Sequence, residues 1–128
     1  MNINDMVGKT FKTIVQSSSD ELIFITDDGW AFKFFHSQSC CENVYIEDVC
    51  GDLEDLVNSP MLQADEESNS GEGERPYEYC DSWTWTFYKF ATIKGSVTLR
   101  WLGTSNGYYS ESVDLLITDP AGKSERVW

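Results

Sequence analysis

Positive charge is what this 128-residue chain has least of: 9 Lys and Arg stand against 22 Asp and Glu, a formal net charge of −13. A chain so acidic repels phosphate backbones and anionic lipids, so neither direct nucleic-acid binding nor a membrane surface is expected. No apolar run approaches the ~20 residues of a membrane helix, and the opening MNINDMVGKTFK has no signal-peptide h-region. The four cysteines, Cys40, Cys41, Cys50 and Cys80, contain no C-x2-C pair of the kind that makes a zinc-knuckle turn, and adjacent cysteines rarely bridge to each other. These absences favour a cytosolic chain with reduced, packed thiols. The EF-hand pattern is missing too, and His36 is the single histidine.

What is present suffices for a core. At 41% hydrophobic residues the chain is not an acidic disordered tail, and its length suits a single domain spanning 1–128. The acid is concentrated: 13 of the 22 carboxylates, and only Arg75 among the bases, fall between Glu42 and Asp81. That segment carries −12 and the rest of the chain −1, so the charge needs a local reason.

Alternating and turn-rich stretches predict an α+β, β-dominated domain whose antiparallel sheets come from two β meanders, with one or two short helices. KTIVQ, Leu22–Ile25 and Trp30–Phe35, with Asp27-Asp28-Gly29 as a hairpin turn, make the first meander. Val44–Ile46 and Met61–Ala64 are short strand candidates. Gly51–Val57 reads as a short helix from Leu53, Leu56 and Val57, and Asn4-Asp5 caps a helical turn that ends at Gly8. Asp65–Pro76 has no aliphatic or aromatic side chain besides its proline, which predicts an acidic flexible loop over 65–80. SWTWTF, the VTLRW return and Tyr109–Ile117 make the second meander, followed by a polar tail to Trp128.

Three blocks carry a resemblance: HSQSCCENVYIED with GDLEDL, SWTWTFYK with KGSVT, and SNGYYSESV. Together they resemble a small domain of unknown function common in bacteriophages and prophages. The resemblance implies a phage context and the host cytoplasm, and no particular chemistry.

Several constellations compete for function. A Cys–His enzyme built on His36 with Cys40 or Cys41 is disfavoured, because neighbouring carboxylates raise a thiol pKa. The same residues with Cys50 form an alternative metal set: His36, Cys40, Cys41 and Cys50. Paired acids such as Glu47-Asp48 read better as a solvated face than as a calcium site. Trp83, Trp85, Arg100, Asn106, Tyr108, Tyr109 and Ser110 form an alternative pocket for a nucleotide-like small molecule. The leading expectation is a non-enzymatic protein without cofactor. Its Asp48, Asp52, Glu54, Asp55, Asp65, Glu66 and Glu67 would dock on a basic surface of a host or antiphage-defence protein.

Overall fold

The computed structural model describes residues 2–71 and 73–127, so Met1, Glu72 and Trp128 lie outside the described residues. Among the described residues nine strands follow in chain order: β1 (Phe11–Ser18), β2 (Glu21–Thr26), β3 (Ala31–Phe35), β4 (Asn43–Cys50), β5 (Gln63–Ser70), β6 (Ser82–Thr92), β7 (Gly95–Ser105), β8 (Asp114–Thr118) and β9 (Ser124–Arg126). They form two antiparallel sheets, one ordered β1-β2-β3-β8-β9 and the other β4-β7-β6-β5.

The α+β expectation is corrected here. The described residues contain no α-helix, only 3-10 turns at Ile3–Met6 and Leu53–Leu56. The second turn starts as the sequence implies, with the Asp52 side chain accepting from the Glu54 N–H at 3.0 Å. It then stops after one turn. Asn58 adopts a left-handed φ of 63°, and Pro60 bridges to Thr10. A helix that short cannot repay its nucleation, so Leu56 and Val57 are buried from a single turn.

The first meander, β1-β2-β3, forms as expected, with the Asp27–Gly29 turn joining β2 to β3 and Gly29 at φ +100°. The second meander does not form. β6 and β7 pair over eleven residues, but the third strand starts only at Asp114 and pairs with β3, from Ala31↔Thr118 to Phe35↔Asp114. Its place beside β7 is taken by β4. The polar tail contributes β9, paired to β8 through Leu116↔Arg126.

The core lies between the sheets. Leu22, Phe24, Phe32 and Phe34 alternate inward from β2 and β3 and are fully buried. They meet Tyr88, Phe90, Leu99 and Trp101 from the other sheet. Aromatic contacts stitch the two layers, with Phe24–Phe90 centroids 5.0 Å apart and Phe34–Tyr88 at 4.9 Å.

The chain therefore crosses between sheets at residues 36–42 and at 106–113, while residues 51–62 join the two edges of the second sheet. At the last crossing the backbone presses on Gly103 of β7. A Cβ there would stand 2.3 Å from the Glu111 carbonyl oxygen, so only glycine fits.

Candidate interaction face on the β4-β7-β6-β5 sheet

The acidic stretch is half strand. Gln63–Ser70 pairs with β6 over eight residues without a register shift, from Gln63↔Ala91 to Ser70↔Thr84. Residues 65–70 of the expected flexible loop are thus strand. The ladder supplies backbone partners that composition does not reveal, and hydroxyl pairs reinforce it: Ser70 Oγ lies 3.1 Å from Thr84 Oγ1.

Strand alternation sorts the acids between two faces. Asp65 stands opposite Lys89 and Glu67 opposite Phe87, both on the outer face, whereas Glu66 stands opposite buried Tyr88. Partial desolvation raises the Glu66 carboxyl pKa, opposed in part by the nearby Tyr88 hydroxyl. Burial also holds the Tyr88 phenol far above its ordinary range.

At the opposite edge, a bulge between Ile46 and Asp48 sets two acids against Arg100. Glu47 makes the ion pair with the guanidinium, and Asp48 takes the register position opposite it. One row therefore runs across the sheet as Asp48, Arg100, Phe87 and Glu67. Asp52, Glu54 and Asp55 lie apart from this row, on the 3-10 turn that caps the β6–β7 hairpin. There Lys94 Nζ donates to the Glu54 carbonyl at 3.2 Å and Thr92 Oγ1 donates to the Asp55 carbonyl.

Few of these acids are neutralised within the molecule. Glu42, Glu47 and Glu67 have ion-pair partners in His36, Arg100 and Lys89. Among the described residues, Asp48, Asp52, Glu54, Asp55, Asp65 and Glu66 have none.

The proposed ligand residues divide into two groups. Trp83, Trp85 and Arg100 share the outer face, where Arg100 stacks on Trp85 at 5.0 Å and Arg75 on Trp83 at 5.1 Å. Residues 73–80 fold over this face, held by Trp85 Nε1 donating to the Glu74 carbonyl at 2.8 Å. The cleft beneath measures about 210 Å³, and Tyr45, Glu47, Tyr77, Trp85 and Arg100 are among its walls. Asn106, Tyr108, Tyr109 and Ser110 belong instead to the 106–113 crossing, where Tyr108 is 88% exposed. Tyr109 and Ser110 line a separate serine-rich groove with Ser68, Ser70 and Glu111, whose carboxylate accepts from Thr84 Oγ1 at 2.8 Å. Tyr45 and Glu47 went unnoticed as cleft residues. Their alternation with Val44 and Ile46 is the signal that places them on the outer face.

The metal set is dispersed as well. Cys50 ends β4, roughly 23 Å along the strand from the loop that holds the other three. There its thiol donates to Asp48, whose hydrogen bond and charge raise the thiol pKa. Both ring nitrogens of His36 are engaged, Nδ1 with the Ser112 carbonyl and Nε2 with Glu42, each at 2.8 Å. Among the described residues, no group of three or more His, Cys, Asp or Glu is placed to hold a metal ion.

Cys40 and Cys41 also correct an expectation, because they are joined to each other in a disulfide. Glu42 collects the Ser39 and Cys40 N–H groups at 3.0 and 2.9 Å and so folds the loop tightly at this point. Of the four cysteines only Cys80 is a buried thiol; Cys50 is exposed.

These features define a small all-β, two-sheet domain with a carboxylate-rimmed outer face. The chain belongs to a family described as a domain of unknown function, DUF7448, whose pattern matches residues 4–115. No curated protein and no solved structure matches it.

Proposed function

We propose that the domain is a non-enzymatic binding protein that docks the acidic side of its β4-β7-β6-β5 sheet on a basic surface of another protein. The observation that carries this reading is the set of carboxylates with no ion-pair partner among the described residues, gathered on one sheet and on the turn that caps it. Unpaired surface carboxylates steer association with a basic partner and discriminate against acidic ones. The phage resemblance of the sequence supports a host or antiphage-defence protein as that partner, inhibited or modulated in the host cytoplasm.

The experiment is a pull-down from bacterial lysate with the wild-type domain and an Asp48→Asn/Asp65→Asn/Glu67→Gln variant. A basic protein retained at low salt, released at high salt and lost with the variant supports the reading. Retention that is indifferent to both salt and the variant refutes it.

A second reading draws on the cleft beside Trp85. A nucleotide-like molecule would stack on the aromatic walls there, with Arg100 as the available cation. Native mass spectrometry of protein from infected cells tests it, since a bound small mass would favour this reading and its absence would count against it.

A further inference from the structure

The two sheets have four edges, and three of them are blocked. β1 carries two register shifts, and its start is held by the Thr10–Pro60 bridge and by Asn58 N–H donating to the Phe11 carbonyl. β4 is bulged, and its Ile46 N–H is spent on the Ser19 carbonyl. β9 is three residues long. β5 differs: eight residues, a regular ladder on its β6 side, and exposure from Asp65 to Ser70 except at half-buried Asn69. The first 3-10 turn packs against β5, and Met61, just before it, is bonded to Lys9 and Gly8. Among the described residues, no backbone hydrogen bond reaches the free side of β5 from Asp65 to Ser70.

A regular open edge is a template for another strand, and charge decides which strand may use it. A second copy of this chain would bring Asp65, Glu66 and Glu67 alongside their own counterparts, and like charges across a strand pair repel. The complementary occupant is an extended segment with consecutive basic residues. Side chains two apart would face Asp65 and Glu67 on the outer face, and the one between them would face Glu66. We therefore propose that β5 is a strand-addition site for an extended Lys/Arg-rich segment of the partner protein, which extends the sheet by one strand. This rests on the carboxylate-docking reading and specifies its geometry.

The test uses the full domain and two eight-residue peptides at low salt. One has three central lysines flanked by valine and threonine; the other has the same sequence N-methylated at alternate backbone amides. Strand addition predicts slowed amide exchange at Asp65–Ser70 and about tenfold weaker binding of the methylated peptide, which keeps its charge and loses its ladder bonds. Equal affinity for both peptides, or protection confined to other residues, overturns strand addition and leaves carboxylate docking standing. Binding of neither peptide overturns both.

Discussion

His36 Nε2 lies 2.8 Å from the Glu42 carboxylate, and both side chains are almost wholly shielded from solvent. Through its Nδ1 the same ring reaches the Ser112 carbonyl at 2.8 Å. Residues 36–42 carry the chain from the first sheet to the second, and residues 106–113 carry it back. One imidazole thus joins two crossings that are remote in sequence, and Glu42 fixes the ring. Glu42 appears in the sequence as one more member of an acidic run. In the fold it is a buried organiser.

The Glu42 carboxyl is held down to about 2 from 4.5, chiefly by His36 and then by the Cys40 N–H. A depressed folded-state pKa contributes stability that is complete above the unfolded value and fades as pH falls through the folded one. Glu42→Gln is expected to lower the urea midpoint at pH 7. The gap from wild type should shrink between pH 4.5 and pH 2, followed by urea titrations at several pH values.

Glu66 works in the opposite sense. Although Glu66 is exposed along the strand edge, partial desolvation of its carboxyl against Tyr88 raises the folded-state pKa, so its ionisation opposes folding as pH rises through that value. Glu66→Gln should therefore raise the thermal midpoint at neutral pH, and the gap from wild type should close as pH falls well below 4.5, where the carboxyl becomes protonated in both states. Paired melting curves at the two pH values read this directly.

Phe34 tests the layer contact. Its ring meets Phe24 at 5.7 Å, Tyr88 at 4.9 Å and Phe90 at 6.0 Å with no exposure. Phe34→Ala should cost about 3–5 kcal/mol in urea unfolding. Phe87→Ala, on the outer face and only half buried, should cost clearly less.

Gly103→Ala tests the return crossing. The added methyl would meet the Glu111 carbonyl oxygen and Cβ at 2.3 and 2.7 Å, so the backbone must shift. A loss of about 1–3 kcal/mol is expected. Amide chemical-shift changes should centre on residues 103–113.

The parts of the fold legible in the sequence are those in which neighbours in sequence are neighbours in space. Leu22–Phe35 and Ser82–Trp101 each alternate around a tight turn, so pattern and turn chemistry are enough. That the chain belongs to a family of unknown function is legible as well, from the blocks around Cys40, Trp83 and Tyr108. Pairings between distant segments are not. Nothing local marks β8 as the partner of β3, or β4 as the partner of β7. The polar composition of Asp65–Ser70 hid a strand because an edge strand with one exposed face needs little apolar surface. The Gly51–Val57 pattern fitted a helix face, and yet one turn satisfied it. The candidate site divided in the same way: Trp83, Trp85 and Arg100 were found together, whereas Glu66 and Tyr109 face elsewhere because strand parity and the late crossing decide their side.

The pairing of β3 with β8 also governs the order of assembly. Ala31 pairs with Thr118, so the first sheet stays a three-stranded ribbon until Asp114–Thr118 has been made. During synthesis the edge of β3, with Phe32 and Phe34 beside it, waits for β8, a partner distant in sequence. Closing so long a loop is entropically costly before any contact rewards it, which places this domain among slow, millisecond-to-second folders. Ending the chain before Asp114 would leave that edge permanently open, and aggregation rather than a smaller folded domain is the expected product.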